Sequence, residues 1–571
     1  MPPSPAGAFL AALAMVTVRA ASSNSNSSLP NLFFMLVRSK STPFTRHFAR
    51  SVSTQQTQSS PPSKCPYSRP THFSQVDDWG WGNFGIHNSD KSIMTPNLDA
   101  LATGGIILDR HIVHKFCSPS RCALQSGRSP IHVNVINSDM RQYNINDPVS
   151  GVQGIPTNMT TIAAKLASAG YSTHAVGKWN AGLAHKVQTP NGRGYATGLT
   201  YFDYDTDFWT EAKPMCGSGK NRQMTVDMWD THGPGTQYNG SESCTQTSQA
   251  GCTYQDEVFV QRIEKIIANA TPGVPLFLFW APHAPHDPYE VPQSYLDKFS
   301  YIDQQERQFV AAMVNLLDDN VGRVVKMLTD AGLWDNTLMI ASADNGGPLG
   351  DGYGGNNYPL KGGKASNWEG GVRVNAFAAG GAIPVSQRGT KIEGLIEIAD
   401  WYTTFCSIAG VDPTDGVAAA AGLPAVDGLD MWPLLSGANS TSPRTHVFLG
   451  TSDDTDKSGN TLVGGVIRND GYKLILGKQA SAFWQGPEYP NSTTYPAGSE
   501  NCGTAGCLYN VFTDPTEHDE ISGSNPTIVA DLLKLINDAQ KTVFNPDRGT
   551  DDGTACEVAF SKYGGFFGPF L

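Results

Sequence analysis

The chain has 571 residues, of which 39% are hydrophobic and 16% charged, and its formal net charge is −12. This length exceeds what one hydrophobic core usually supports, and the composition is that of a globular protein without an apolar run long enough to span a bilayer. The negative charge argues against a nucleic-acid partner, whose phosphates would be repelled, so an anionic substrate would need a locally basic site.

The N-terminal region has features of a secreted protein. A mostly apolar run over residues 6–18 ends in Val18-Arg19-Ala20, which suits cleavage after a small residue, so residues 1–21 are predicted to be a signal peptide. Six N-x-S/T sequons fit a glycoprotein of the secretory pathway, extracellular or in a lysosome or vacuole; they begin at Asn26, Asn158, Asn239, Asn269, Asn439 and Asn491.

The chain contains ten cysteines, which an oxidising compartment permits to form disulfides, although the pairing cannot be deduced from sequence. Two pairs, Cys244/Cys252 and Cys502/Cys507, are close enough to suggest local loops. A zinc site is less favoured, because paired C-x-x-C elements and nearby histidines are lacking.

An apolar run at residues 32–37 has the length of a buried strand. The stretch to residue 75 is rich in Ser, Thr, Gln and Pro and is predicted to be disordered. Two acidic residues, Asp77 and Asp78, follow it. Further along, apolar spacing predicts helices over residues 160–169, 255–268, 304–328, 392–409 and 527–543, and strands over residues 171–176, 275–280, 337–342, 446–449, 462–468 and 472–476.

The most distinctive stretch is residues 117–128, C-S-P-S-R-C-A-L-Q-S-G-R. A thiol four residues before a guanidinium indicates either a cationic pocket around a reactive group or a buried small hydrophobe or disulfide partner. The stretch resembles the sulfatase signature, C-x-P-S-R with a small-Gly-Arg triplet downstream. The resemblance implies that Cys117 begins a helix, where an anion is favoured, and that a formylglycine-generating enzyme converts it to formylglycine during secretion.

Residues 76–80, V-D-D-W-G, look like the first metal-binding segment of sulfatases, which directly follows an apolar strand in that family. Here the preceding residues 72–75 make a poor strand, whereas joining Leu36 to Val76 restores the family pattern. We therefore hypothesise that residues 37–75, 39 codons with GT and CAG available at their boundaries, are a translated intron. The alternative is a genuine disordered insertion at a strand end.

Lys178 follows a predicted strand, at the sheet edge where α/β proteins usually hold ligands. Such a lysine is ordinarily solvated, but residues 177–180, G-K-W-N, resemble the sulfatase G-K-W-H motif, whose lysine grips sulfate. Asn180 stands where most members have a histidine that helps to expel sulfate from a covalent intermediate. Turnover should therefore be impaired unless another group, such as His174 or His185, serves.

Three later segments also resemble sulfatase site motifs. His286, immediately before Asp-Pro, matches a residue on the sulfate or leaving-group side, whereas His283 has no such counterpart. Asp344 and Asn345 resemble the second metal-binding segment, and Lys364, before a W-E-G-G-x-R turn, matches the second sulfate lysine. Lys361 is expected to be peripheral. The polar, Gly-rich residues 216–252 are expected to form a surface insertion with a disulfide.

The resemblance runs from Asp77 to about residue 522 and implies an α/β fold, an alkaline-phosphatase-like sandwich with a large mixed central sheet flanked by helices. We expect a catalytic domain over residues 76–440, together with a strand at 31–36, and a smaller C-terminal α+β domain over residues 441–571. Residues 484–487 and 507–517 look closest to the arylsulfatase B branch, which includes N-acetylgalactosamine-4-sulfatase.

The candidate metal ligands Asp77, Asp78, Asp344 and Asn345 offer only oxygen atoms, which suit a hard divalent cation. Ca²⁺ is favoured because it accepts several carboxylates in flexible geometry, and Mg²⁺ is the alternative. A single Asp-Asp pair is usually a solvated turn, but two segments in family order around Cys117 predict a metal site to which residue 117 also belongs.

The resemblance implies hydrolysis of aryl or carbohydrate sulfate esters. The cation and Arg121 would hold hydrated formylglycine, one hydroxyl of which attacks sulfur to give a covalent sulfate ester; the other hydroxyl then expels sulfate. Lys178 and Lys364 would offset the sulfuryl charge, and His286 or Lys364 would protonate the departing alcohol.

Two alternatives remain open. A related phosphoesterase would use Ser or Thr as its nucleophile and usually a second metal, which the cysteine in C-S-P-S-R disfavours. A catalytically impaired sulfatase-like protein that binds sulfated glycans is the non-enzyme interpretation, and Asn180 and the interrupted first strand support it.

Overall fold

The computed structural model describes residues 31–33, 73–74, 77–88, 90, 92–217, 222–238, 244–451, 463–487 and 498–571, with only the backbone for the first two ranges. The predicted signal peptide, the sequons at Asn26, Asn239 and Asn491, and nearly all of residues 37–75 lie outside the described residues.

An 11-stranded sheet is the centre of the fold. In spatial order its strands are Gly233–Pro234, Trp229–Asp230, Thr197–Tyr201, Ser172–Lys178, Leu276–Ala281, Asn31–Phe33, Thr337–Ser342, Ala376–Ala379, Ile106–Leu108 and Thr390–Ile392, with Phe73–Ser74 also paired to Leu276–Ala281. The five strands from Thr197–Tyr201 to Thr337–Ser342 are parallel, and antiparallel pairs flank them on both sides. The sheet is therefore mixed, as predicted.

Helices flank this sheet. Every residue of Leu276–Ala281 and of Thr337–Ser342 is buried, which is typical of parallel strands that are covered on both faces. One group of helices consists of Pro96–Gly104, Gln255–Ala268 and Gln305–Asp330, and another of Cys117–Ser126, Ile162–Ser168 and Asp400–Ala409. Shorter helices are Pro130–Val133, Gln293–Leu296, Glu369–Val372, Gly416–Ala420 and Trp432–Leu435. None of the helices in the described ranges is long and apolar enough to cross a membrane.

The central strand of the sheet is made of two segments that are distant in sequence. Phe33 pairs with Leu278, and Phe73 pairs with the next residue of the same neighbour, Phe279. Asn31–Phe33 and Phe73–Ser74 therefore follow one another along a single strand position, and Asp77 lies just beyond the end of this position.

The helix predicted over residues 392–409 is wrong in its first half. Thr390–Ile392 and Ile396–Glu397 are strands, and the helix begins only at Asp400. Ile392 pairs with Leu108 and Ile396 with His111, so strand pairing, rather than a helical turn, sets the spacing of these apolar residues.

The C-terminal part of the chain forms a separate four-stranded antiparallel sheet. Its strands are His446–Gly450, Val463–Arg468, Tyr472–Ile475 and Cys507–Asn510, and the helix Pro526–Gln540 packs on it. A last helix, Thr554–Tyr563, is tied to the N-terminal part by the disulfide Cys216–Cys556. The local disulfides Cys244–Cys252 and Cys502–Cys507 confirm the two predicted loops. The proposed domain boundary at residue 440 stays a prediction.

Candidate active site

The candidate catalytic residues meet at the carboxyl ends of the central parallel strands. Asp77 follows the central strand position, Lys178 is the last residue of its strand, and Asp344 lies two residues beyond Thr337–Ser342. Parallel strands bring their carboxyl ends to one edge of a sheet, where α/β proteins bind ligands. The segments that carry Asp77, Lys178 and Asp344, which are distant in sequence, are thus brought together.

The helix that carries Cys117 begins at Cys117 itself, as predicted, and Cys117 is buried. Ser120 Oγ accepts a hydrogen bond from the His114 amide at 3.0 Å and lies 3.1 Å from the carbonyl oxygen of Phe116, to which it can donate. These contacts fix the turn into the helix, so Ser120, the second serine of C-S-P-S-R, has a structural role that the sequence did not reveal.

Arg128, the second arginine of the signature, also acts away from the site. It donates to the carbonyl oxygen of Pro424 at 2.7 Å and to the Asp415 carboxylate at 2.9 Å. The arginine therefore anchors the helix that carries Cys117 from its far end.

The thiol of Cys117 lies 3.3 Å from Asp77 Oδ1. Burial, and then the negative charge of Asp77, raises the pKa of this thiol far above its ordinary value. The unmodified side chain is thus held as a neutral thiol, which is a poor nucleophile.

Arg121 lies one turn after Cys117 on the same helix and is fully buried. Its Nε donates to Asp344 at 2.9 Å, and its Nη1 donates to the carbonyl oxygen of Lys178 at 3.2 Å. The guanidinium also lies 3.8 Å from Asp77. Arg121 therefore joins three of the segments that form the site.

Lys178 forms a buried ion pair with Asp77. Burial alone would favour the neutral amine, but Asp77 raises the pKa of Lys178 above its ordinary value. The preceding residue, Gly177, has φ of +97°, and a Cβ there would lie 1.8 Å from the Ala281 carbonyl oxygen. Only glycine permits this approach of the two strands, which sets the position of the lysine.

A second lysine contacts the other aspartate of the pair. Lys364 Nζ is 2.6 Å from Asp78 Oδ1 and 3.2 Å from His286 Nε2. Against the effect of burial, Asp78 raises the pKa of Lys364 well above its ordinary value. By contrast, Lys361 pairs with Glu500 and lies over the Trp368 ring, which confirms that it is peripheral.

His286 is held so that its Nε2 faces the cluster. Its Nδ1 lies 2.7 Å from the carbonyl oxygen of Asp287, to which it can donate, while Nε2 is 3.6 Å from Asp78. The loop is positioned by Asp256, whose carboxylate accepts the amide protons of His283 and Ala284, both at 3.0 Å. No sequence signal points to this role of Asp256, because an acidic residue in the first turn of a helix is ordinarily a dipole contact.

The acidic side chains are suited to a divalent cation. Ligand atoms of Asp77, Asp78, Cys117 and His286 all lie within 4.8 Å of one another. In addition, Asp344 Oδ1 and Asn345 Oδ1 are buried without a hydrogen-bond partner among the described residues. Buried oxygen atoms without partners are costly, and a hard cation would satisfy them.

The histidines considered as substitutes for a residue at position 180 do not join the cluster. His174 contacts Ser172 at 2.9 Å and Thr197 at 2.6 Å, and neither His174 nor His185 belongs to the group formed by Asp77, Asp78, Cys117 and His286. Asn180 itself is fully buried with φ of +48°, and within the described ranges neither its Oδ1 nor its Nδ2 has a hydrogen-bond partner.

Comparison with known proteins gives a consistent result. A model of the Sulfatase family matches residues 73–411. The chain is 30% identical over 491 residues to arylsulfatase J of Mus musculus, covering 82% of this chain and 75% of that protein. It is also 29% identical over 369 residues to N-acetylgalactosamine-6-sulfatase of Homo sapiens, covering 63% and 64%, respectively.

Solved structures share the fold. Ps i-CgsB in complex with k-i-k-neocarrahexaose superposes with a TM-score of 0.62 at 23% identity, covering 86% of this chain and 98% of that chain. The PsFucS1 sulfatase from Pseudoalteromonas sp. gives a TM-score of 0.60 at 23% identity, covering 84% and 92%.

Proposed function

Because the chain belongs to the sulfatase family and is a sulfuric ester hydrolase, we propose that Cys117 is the residue converted to formylglycine and that the side chains around it cleave the sulfate ester. One observation carries this assignment: Cys117 begins a helix and lies in a buried cluster with Asp77, Asp78 and His286. The helix N-terminus and the adjacent lysines suit the charge of a sulfate.

Two groups supplied after synthesis complete the site. Formylglycine, when hydrated, supplies an oxygen nucleophile in place of the neutral thiol. A divalent cation, for which we propose Ca²⁺ with Mg²⁺ as the alternative, would be held by Asp77, Asp78, Asp344 and Asn345 and would supply positive charge next to residue 117.

The three cationic side chains have separate tasks. Arg121 orients residue 117 relative to Asp344, since it lies one helical turn away and is bound to that carboxylate. Lys178, which is paired with Asp77, and Lys364, which is paired with Asp78, offset the charge on the sulfuryl oxygens. Because all three groups are held in place before substrate binds, they stabilise developing charge without reorganisation.

His286 and Lys364 are proposed to move the proton of the leaving group. The Nε2 atom of His286 lies 3.2 Å from Lys364 Nζ, so one of the two can hold a proton for the departing alcohol.

We further propose that the substrate belongs to the class of sulfated carbohydrates and aryl sulfates. The arylsulfatase B-like segments support this, because Trp484 of one segment donates to the carbonyl oxygen of Thr516 in the other, so both lie together. The relatives include sulfatases named for N-acetylgalactosamine 6-sulfate as well as arylsulfatases. Three disulfides support a route through the secretory pathway, extracellular or to a lysosome or vacuole.

The proposal is tested by mass spectrometry of the tryptic peptide from Phe116 to Arg121, with an assay on 4-nitrophenyl sulfate. We expect formylglycine at position 117 and turnover that Cys117→Ala abolishes. Cys406→Ala, which removes another buried free cysteine on a different helix, is the matched control and should keep its activity. Unmodified cysteine in protein from its own host would contradict the assignment and would favour binding of sulfated glycans without turnover.

A further inference from the structure

A polar cavity of about 740 Å³ lies beside the N-terminus of the helix Gln305–Asp330. We call it the glutamine groove, because five of its lining residues are glutamines. Its polar lining consists mainly of Gln246, Thr247, Gln249, Gln293, Gln305 and Gln308. The volume is within the range of small-molecule and cofactor sites.

The chemistry of the glutamine groove fits a neutral, hydroxyl-bearing ligand. A glutamine amide can both donate and accept hydrogen bonds, as a sugar hydroxyl does. Within the groove, the Nε2 atoms that already donate to protein acceptors are those of Gln249, Gln293 and Gln308. The last two each donate to one acceptor among the described residues, so their second N–H remains for a ligand. Leu296 and Phe309 add apolar surface, which matches the carbon-bound hydrogens of a sugar ring. The lining contains one carboxylate, that of Asp303, and neither lysine nor arginine among the described residues, so a sulfate group is disfavoured there.

The segment after His286 connects the groove with the active site. Within this segment, the Val291 amide donates to Gln246 Oε1 at 2.7 Å, and the Val291 carbonyl oxygen accepts from Gln249 Nε2 at 3.1 Å. Gln293 is seven residues beyond His286, and a chain of that length spans at most about 25 Å. The groove is therefore at most about 25 Å from His286, a separation that a ligand a few sugar units long can span.

The walls of the groove are held in place. Gln246, Thr247 and Gln249 lie inside the loop closed by the disulfide Cys244–Cys252. Gln249 Oε1 accepts the Gln293 amide at 2.8 Å, which joins two walls. Gln246 Nε2 is buried without a hydrogen-bond partner in the described part of the chain, so one donor of the wall is left for a ligand or water.

We propose that the glutamine groove is a subsite for uncharged sugar units next to the sulfated residue, so that the preferred substrate is a sulfated oligosaccharide rather than a small aryl sulfate. This inference rests on the proposed function. It assigns the carbohydrate backbone to the groove and the sulfate to the cluster around Cys117.

The test compares Gln305→Ala/Gln308→Ala with the wild type on three probes: 4-nitrophenyl sulfate, and a disaccharide and a hexasaccharide that each carry one terminal galactosamine 6-sulfate. We expect the wild type to favour the hexasaccharide. Two lost hydrogen bonds of ordinary strength should lower kcat/KM of the double variant for the hexasaccharide about tenfold, mainly through KM. The matched control is Gln223→Ala, an exposed glutamine on the strand Gln223–Val226 and outside the groove, which should behave as the wild type on every probe.

A second measurement uses the unsulfated hexasaccharide as a competitor of hexasaccharide cleavage, and we expect it to inhibit the wild type but not the double variant. Equal wild-type kcat/KM for the disaccharide and the hexasaccharide would overturn the subsite. So would an equal loss by the double variant on 4-nitrophenyl sulfate, which indicates a structural effect. Absence of turnover on 4-nitrophenyl sulfate by the wild type would instead contradict the proposed function, so the two failures are distinguishable.

Discussion

Asn180 is the residue at which this chain departs from the sulfatase G-K-W-H motif. It lies two residues after Lys178, in a left-handed turn and fully buried. A neutral amide cannot take up and return a proton at neutral pH, so Asn180 can hold a hydroxyl by hydrogen bonding but cannot act as an acid or base. We infer that the step that expels sulfate limits turnover.

Restoring the histidine should therefore accelerate the reaction. We expect Asn180→His to raise kcat on 4-nitrophenyl sulfate at least about tenfold, since general acid–base help contributes about 10²- to 10⁴-fold where it operates fully. Asn180→Gln, which enlarges the side chain without adding a base, is the control and should not raise kcat. If kcat of the histidine variant is unchanged while the variant remains folded, another group already performs this step.

At the scale of single elements, the divided central strand has the largest consequence. Phe33 and Phe73 occupy adjacent register positions opposite Leu278 and Phe279. Residues 34–72 separate them in sequence, and their number, 39, equals that of the hypothesised intron at 37–75. Removing either set leaves Asp77 at the same distance from Phe33. The register therefore supports the hypothesis that the strand is complete without the intervening segment.

We expect the variant without residues 37–75 to fold with its activity intact and with a higher free energy of unfolding. Bringing together the ends of a chain of this length costs about 3 kcal/mol of entropy, which the deletion removes. The measurement is denaturant unfolding alongside turnover of 4-nitrophenyl sulfate. Sequencing the transcript across the junction tests the intron itself, because a mature message that retains these codons would contradict it.

Two further deletions make the experiment specific. Removal of residues 34–72 keeps the same register and should also retain activity. Removal of residues 37–74 leaves one additional residue before Asp77; a one-residue slip reverses the face of every side chain in a strand, so activity should be lost. Equal activity of all three variants would show that strand register does not position Asp77.

Most elements of the sheet and the site were predictable, because their signals are local. Lys178 follows an apolar strand, and the signature around Cys117 is contiguous. The helix predicted over residues 392–409 is wrong at residues 392–397, because short apolar runs fit both periods and only pairing with distant strands decides between them. The disulfide Cys216–Cys556, across 340 residues, has no local signal at all.

At the scale of the whole molecule, residues of the C-terminal part, on its four-stranded sheet and beside it, hold the turn that follows Lys364. The Asn367 amide donates to Gln479 at 2.9 Å, and the Glu369 amide donates to Glu517 at 2.7 Å. Lys473, on the sheet itself, is fully buried and binds both Glu369 at 2.8 Å and Glu517 at 2.9 Å. The C-terminal part thus holds the turn next to Lys364, the lysine proposed to bind sulfate.

Lys473→Met should therefore destabilise the protein in a pH-dependent way. Removing one partner of a buried ionic group costs about 3–5 kcal/mol, because Glu517 would be left as an uncompensated buried carboxylate and Glu369 would keep, among the described residues, only its ion pair with Arg373, 3.8 Å away. Burial already raises the pKa of Glu517 to about 7 despite the opposing effect of Lys473, and without the lysine this pKa should rise further. The native state then binds a proton that the unfolded chain has released above a pH of about 4.5, so stability falls as pH rises through this interval.

The measurement is the free energy of unfolding at pH 5 and pH 8, for the wild type, Lys473→Met and Lys478→Met. We expect the loss in Lys473→Met to be larger at pH 8 than at pH 5. Replacing the exposed Lys478, on the separate strand Lys478–Gln479, should change stability by no more than about 0.5 kcal/mol. The turnover of the variant relative to the wild type should also be higher at pH 5 than at pH 8. At pH 5 Glu517 is protonated, so the turn that follows Lys364 no longer contacts an unpaired buried charge. An equal loss at both pH values would mean that the buried carboxylates are not ionised in the native protein, and that the contact between the sheet and the turn depends on packing alone.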